Sequence, residues 1–283
     1  MANILLGTNI ETDDEDFIGR VIGLVDIVEI SPDRWSGGRD RHSRLQLDPA
    51  VSRALSPVGG RVPFLVHGVG LSIASHDGWS RDYVDLLDQA IDTLPVRWHS
   101  EHLSYSTVDG EPLGTMIEAP CTQEALDLVC ARVKALQDRY GLPFLLENVA
   151  RAFPDCDEDQ YSWAGFINAV VKNTDCGILL DVYNLQCDEH NFALPVHRFL
   201  DEIDHDSVVE VHIAGGTLYK GFQLDIHSRR VSEDTLRLTK SIVESLPGVQ
   251  AIIFEVVQEA LDELGYDTIC DELVRLRREL ICD

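Results

Sequence analysis

Imidazole and carboxylate side chains recur in this sequence at the ends of short apolar runs. His67 follows Phe-Leu-Val and opens H-G-V-G, while His99, Glu101 and His102 lie in W-H-S-E-H-L-S. Glu147 lies in L-L-E-N-V, and Asp181 in L-L-D-V-Y-N with Asn184 just beyond it. His212 lies in E-V-H-I-A-G-G, Glu255 in I-I-F-E-V-V and Glu29 in I-V-E-I, and Asp225 and His227 form D-I-H. A charge buried in such a run costs several kcal/mol unless it is paired or ligates a metal. One such residue is as readily a paired structural group as a ligand. Seven successive runs each carrying one are hard to explain in that way. Imidazole with carboxylate and no thiolate suits iron, manganese or zinc. The donors exceed what a single catalytic ion with an open position uses, so two or three ions with a bridging carboxylate are expected. The i, i+2 spacing of Asp225 and His227 puts both on one face of an extended segment, as a pair for one ion.

The runs that carry these residues are expected to be strands: Asn3–Gly7, Asp26–Ile30, Phe64–Gly70, Arg97–Leu103, Phe144–Val149, Gly177–Val182, Val208–Ala214 and Ala251–Val257. They are short, apolar and bounded by Gly, Pro, Asp or Asn, as buried parallel strands are. Helical patterns lie between them at Trp79–Thr93, Thr122–Tyr140, Ser162–Lys172, Ser232–Ser245 and Thr268–Leu280, with Thr122 and Ser232 as N-caps. Eight strands alternating with helices predict a single-domain α/β chain, a (β/α)8 TIM barrel over residues 1–283. No glycine-rich dinucleotide fingerprint follows the first strand, which disfavours an open doubly wound sheet. The segment Ser31–Gly60 reads as a long loop with little regular structure. In barrels the C-terminal strand ends converge on the active site, so the topology would gather the donors around one axis.

The 283 residues include 23 basic and 49 acidic ones, a net charge of −26. Such a chain repels a phosphate backbone, so no nucleic-acid partner is expected. No run approaches the roughly 20 apolar residues that span a bilayer. The N-terminus lacks a basic start and turns acidic quickly, unlike a signal peptide, so a cytoplasmic location is expected. Seven cysteines, including Cys187 and Cys282, occur without a C-x-x-C. Neither a disulfide framework nor a thiolate zinc site is expected. Cys187, beside the acidic motifs, is read as an inert thiol.

In order, H-G-V-G, S-E-H-L, L-L-E-N, L-D-V-Y-N, H-I-A-G and D-I-H resemble the motifs of the multinuclear non-haem iron-dependent oxidases, which modify ribosomally made peptides. The resemblance spans roughly residues 20 to 257. It implies that His67, His102 and Glu147 hold one iron. Glu147 would bridge to a second, completed by Asp181, His212 and Glu255, and Asn184, Asp225 and His227 would hold a third. It further implies dioxygen as co-substrate, a cysteine-bearing precursor peptide as substrate, and a separate partner protein that grips the leader part of that peptide. Two positions depart from the family pattern: Glu101, where Asp is more frequent, and Tyr183, where Asn is common. Glu101, Asn148 and Tyr105 are candidates to orient the ligating imidazoles, with packing roles as the alternative. Glu29 is read as a substrate contact or a buried ion pair. His190, in an acidic loop after Asn184, is a candidate for the third ion. His99 faces away from His102 and is read as structural. Two other readings stand beside the oxidase. Endonuclease IV-like hydrolases have a His where this chain has Asn184. A metal-loaded scaffold subunit without catalysis is the other. Xylose isomerase-like enzymes share the fold but usually place a Lys near the metal.

Overall fold

A computed structural model describes residues 4–55, 58 and 60–281. Eight parallel strands close into a barrel: β1 (Leu5–Asn9), β2 (Ile27–Ile30), β3 (Phe64–Gly68), β4 (Val96–His102), β5 (Phe144–Glu147), β6 (Gly177–Asp181), β7 (Val208–Ile213) and β8 (Ala251–Phe254). Each strand pairs with its neighbours in sequence, and β1 closes the ring onto β8. The expected TIM barrel is therefore the fold. All eight expected strands are present within a few residues of their expected bounds; Asn3, where the first was expected to begin, lies outside the described residues, as does Cys282. Thr122 and Ser232 cap their helices as expected, accepting from the backbone N–H of Ala125 and Thr235.

Three expectations need correction. Ser31–Gly60 is not a structureless loop: it holds a 3-10 turn (Pro32–Trp35), a small hairpin (Ser36–Arg39 with Leu45–Leu47) and a helix (Pro49–Leu55). The apolar spacing there was hidden by the Arg, Asp and Gly that surround it. The stretch after Asp181 is a helix, Val182–Phe192, and not an acidic loop. Asp181 is itself the N-cap, accepting from Asn184 N at 2.6 Å, so one carboxylate ends a strand and starts a helix. Two helices rather than one follow the last strand, Gln258–Leu264 and Tyr266–Leu276.

Side chains alternate across each strand. One face of every strand packs against the surrounding helices, and the other fills the barrel. Toward its N-terminal end the interior is a plug of Ile27, Leu65, Trp98, Leu145, Leu179, Ala251 and Ile253. Two residues further along the same inward faces come Glu29, His67, Glu147, Asp181 and Glu255, and four beyond Trp98 comes His102. The polar layer therefore rests directly on an apolar one. Two hairpins rise from the C-terminal ends, Ser104–Val108 with Glu111–Glu118 after β4, and Gly215–Tyr219 with Phe222–Arg229 after β7.

Gly7 shows how tightly the plug is filled. A Cβ there would lie 2.5 Å from Ile253 Cδ1, 2.8 Å from Ile27 Cγ2 and 2.9 Å from the Ile27 carbonyl oxygen. Overpacking of this kind costs about 1–3 kcal/mol. Gly7→Ala is expected to lower the unfolding free energy by that amount, read as a lower urea midpoint with an unchanged m-value. An unaltered midpoint would show that the plug has room.

Candidate metal centre

The polar layer brings together His67, His102, Glu147, Asp181, His212 and Glu255 from the strand ends, Asn184 from the first turn of the Val182–Phe192 helix, and Asp225 and His227 from the second hairpin. His67 Nε2 and His102 Nε2 each lie 3.1 Å from Glu147 Oε2. His212 Nδ1 lies 3.0 Å from Glu255 Oε2, and His227 Nδ1 reaches the same oxygen at 3.6 Å. His227 Nε2 and Asp225 Oδ1 are 2.5 Å apart, so the D-I-H pair does converge. Asn184 donates to Glu147 Oε1 at 3.2 Å and to the Asn148 carbonyl at 3.0 Å. Potential ligand atoms lie within 4.8 Å of one another in the sets His67, Glu147, His212 and Asp181, His227, Glu255. These proximities cut across the three ligand sets that the resemblance implies. Glu255, shared by two imidazoles, is as well placed to bridge as Glu147.

Whether these residues suit metal ions can be judged from their hydrogen bonding. Buried polar atoms are almost always paired. Here His67 Nε2, Glu147 Oε2, Asp181 Oδ2, Asn184 Oδ1, His212 Nδ1, Asp225 Oδ1, His227 Nε2 and Glu255 Oε2 are buried without a hydrogen-bond partner. They are lone-pair donors for a cation, and they converge on one end of the barrel. The donor set fits a cluster of hard-to-borderline divalent ions.

The other edges of the imidazoles are held in place. His67 Nδ1 meets Ser100 Oγ at 2.9 Å, and His102 Nδ1 meets the Gly68 carbonyl at 2.7 Å. His212 Nε2 faces Glu29 Oε2 at 3.3 Å and Glu210 Oε1 at 3.4 Å, and Trp98 Nε1 donates to Glu210 Oε2 at 2.8 Å. Carboxylates behind a histidine of this kind fix its ring orientation and raise its basicity toward a metal. Ser100, Gly68, Glu210 and Trp98 were not anticipated from the sequence. The signal was available, because Ser100 and Trp98 share the inward face with His102, and Glu210 with His212.

Two amides act as clamps. Asn148 accepts from Asp181 N at 2.9 Å and donates to the Asp181 carbonyl at 3.0 Å. Asn9 does the same at Val256, at 2.9 and 3.1 Å. Each fixes the strand end that carries a candidate ligand.

The remaining candidates fall elsewhere. Glu29 is fully buried in the layer, with Oε2 3.3 Å from His212 Nε2. Glu101 orients none of the gathered imidazoles. It points out to the helices, with Oε1 on His99 Nε2 at 2.9 Å and Tyr83 nearby. It is adjacent to His102 in the strand, which turns it to the opposite face. His99, packed on Phe144 and Tyr140, is structural as read. Tyr105 is half-buried on the first hairpin, with no hydrogen bond to the cluster. His190 is exposed on its helix and contacts the Gly221 carbonyl at 3.1 Å, away from the ligands. Cys187 is fully buried, and burial drives its thiol up, which leaves it unreactive.

Burial dominates the electrostatics. It pushes His67 down to about 3, with help from His212, and raises Glu147 to about 7 and Glu29 to about 8. Burial and then Asp225, Glu147 and Glu255 drive Asp181 well above the carboxylate range. At Glu255 burial acts upward, but His212 and His227 outweigh it and hold the carboxyl low. His212 and His227 are opposed by burial yet raised well above the usual imidazole value by the facing carboxylates. The metal-free cluster thus balances its charge by keeping protons that cations would displace.

Residues 15–265 match the model of a family described as RiPP precursor modification enzyme MbnB/TglH/ChrH, RiPP denoting a ribosomally made, post-translationally modified peptide. The chain belongs to this family. A relative from Rhizorhabdus wittichii, called UPF0276 protein, is 30% identical over 247 residues, 85% of this chain and 84% of that one. Another of that name from Caulobacter vibrioides is 28% identical over 232 residues, 81% of this chain and 79% of its own. Among solved structures, a xylose isomerase domain containing protein from Salmonella typhimurium aligns over 97% of this chain and 96% of its own, with TM-score 0.65 at 15% identity. Endonuclease IV from Thermus thermophilus aligns over 98% of both chains, with TM-score 0.58 at 17% identity. These two likenesses are of fold alone. No helix among the described residues is long and apolar enough to cross a membrane.

Two outcomes are expected. Glu210→Gln weakens the charge behind His212 and should lower metal affinity by about ten- to a hundredfold, read by competition with a chelator; unchanged affinity would make Glu210 a packing residue only. Without metal, His212, His227, Glu29 and Asp181 retain in the folded state protons that the unfolded chain has released above neutrality. Stability of the chelated protein should therefore fall from about pH 7 to about pH 8, and divalent metal should flatten that slope. A chelated protein whose urea midpoint rises over that range would contradict the assignment.

Proposed function

We propose that this member of the family is a multinuclear non-haem iron-dependent oxidase that uses dioxygen to modify a cysteine-containing ribosomally synthesised peptide. The observation that carries the metal part is the convergence of unpartnered, buried imidazole and carboxylate atoms at the C-terminal end of the barrel. The peptide part rests on the family match. His67, His102 and Glu147 would hold one iron, and Asp181, His212 and Glu255 a second, with Glu147 or Glu255 between them. Asn184, Asp225 and His227 would complete a third position. When bound, the ions would supply one-electron redox chemistry and open positions for ligands.

The chain's own residues account for how the site is prepared. Glu29, Glu210, Ser100 and the Gly68 carbonyl hold the imidazoles in fixed orientations. The apolar plug packs the barrel interior on its N-terminal side, so the site would be approached from the C-terminal end. The charge of −26 favours a neutral or basic peptide over nucleic acid. A separate partner that grips the leader part of the peptide fits the same reading.

The test is anaerobic reconstitution with ferrous iron, followed by oxygen uptake and mass spectrometry with cysteine-containing candidate precursor peptides. Iron-dependent uptake with a mass change is expected, and replacing the peptide cysteine with serine should abolish both. Zinc alone after iron-replete expression, or cleavage of abasic-site DNA by the zinc-loaded protein, would overturn the oxidase reading.

A further inference from the structure

The second hairpin has two edges in different states. Strand Gly215–Tyr219 pairs with Phe222–Arg229, and the turn between them places Lys220 and Gly221 at positive φ, as two-residue hairpins require. On the Phe222–Arg229 side, the outer edge is already satisfied: the Asn191 amide accepts from Gln223 N at 2.8 Å and donates to the Gln223 carbonyl at 2.9 Å. Gln223 stands opposite Leu218. Paired residues of an antiparallel ladder alternate between bonding each other and facing outward. Because Gln223 faces outward, Leu218 does too, on the opposite edge. Among the described residues, no strand and no backbone–backbone hydrogen bond occupies that edge at Leu218, while at Gly216 the Tyr183 hydroxyl lies against the backbone.

The edge borders a groove of about 500 Å³, with Gly216 and Leu218 on one side and Tyr183, Gln186 and His190 of the Val182–Phe192 helix on another. A Cβ at Gly216 would run into the Leu224 carbonyl and the Tyr183 hydroxyl, so the strand lies close against that helix. The apolar side chains of the hairpin are turned to solvent: Leu218 is 59% exposed, Tyr219 58% and Phe222 41%. An unpaired edge with exposed apolar residues is a template for another chain. This edge is also continuous with the metal centre, because the partner strand of the same hairpin carries Asp225 and His227 into it.

We propose that the free edge of Gly215–Tyr219 binds an extended segment of the peptide substrate as a third antiparallel or parallel strand. Leu218 N–H and C=O would pair with its backbone, and the groove over Tyr183 would take one of its side chains. This inference rests on the substrate being a peptide, as the family match indicates, and not on the identity of the metal or the oxidant. The main-chain pairing would supply affinity with little dependence on sequence, and the groove would supply selectivity. The groove carries the carboxylates of Glu189 and Asp234 against one guanidinium, Arg230, on a chain of net charge −26. The segment is therefore neutral or basic, not acidic. A strand laid along this edge runs beside the hairpin that reaches the cluster, so pairing would feed the neighbouring part of the peptide toward the ions.

A pooled library of dye-labelled nonapeptides with a central cysteine and no acidic residue serves as the probe, with the metal-loaded full chain held under anaerobic conditions. Retained members are measured by fluorescence anisotropy against the unaltered protein and against Leu218→Pro, which removes the outward N–H. Affinity is expected to fall by roughly tenfold or more in the variant with metal content unchanged. In the unaltered protein, binding should protect the Leu218 amide from hydrogen exchange, which keeps the test valid if the variant misfolds. Equal affinity in a folded variant, protection confined to the Ser104–Glu118 hairpin, or no retained peptide would overturn the proposal. None of these readouts involves oxygen or turnover, so a failed oxidase assay leaves this result interpretable.

Discussion

The controlling constraint is the placement of many ionisable groups on a dry floor. Glu29, Glu147, Asp181, Glu210 and Glu255 sit with His67 and His212 almost without solvent exposure, directly above an apolar plug. Groups so placed cannot all carry their usual charges unless cations are among them. Protons can compensate in part, as the raised carboxyls of Glu147 and Asp181 show, but protons leave the convergent lone pairs without partners. Metal ions satisfy charge and lone pairs together. The barrel supplies rigidity, because His67, His102, Glu147, Asp181, His212 and Glu255 sit at or just beyond the ends of strands paired on both sides.

Around that floor the chain spends its other polar residues on position. Asn148 and Asn9 tie the strand ends that bear Asp181 and precede Val256. Gly68 bonds His102 through its carbonyl and leaves space for the outward Glu101 and Tyr83, which a side chain at that position would strike. The second hairpin brings Asp225 and His227 to the same end of the barrel as the strand-borne residues.

Much of this was legible in the sequence because two periodicities coincide. Apolar runs bounded by turn residues marked the eight strands, and a polar residue two positions beyond the interior apolar one marked the cluster. Glu210 and Trp98 carried the same signal but were masked, one by the stronger His212 beside it and the other by its apolar character. Glu101 takes the packing alternative rather than the orienting one, because adjacency in sequence to His102 means opposite faces in a strand. The Val182–Phe192 helix was read as a loop because its surface is acidic and its N-cap is a residue assigned to metal binding. His190 followed that error, since a loop could have turned inward and a helix fixes it outward. Burial of Glu29 against His212 depends on contact between β2 and β7 across the barrel, which no local pattern reveals.

The central claim is that the unpartnered atoms of this floor are the ligands of a multinuclear iron centre. Anomalous diffraction at the iron absorption edge, from crystals of anaerobically iron-loaded protein, tests it most directly. The account predicts at least two separate peaks inside the C-terminal end of the barrel, one beside His67, His102 and Glu147 and another beside Asp181 and Glu255. A barrel with no anomalous density in that layer, or iron bound only at the outward His99 and Glu101 pair, would contradict it.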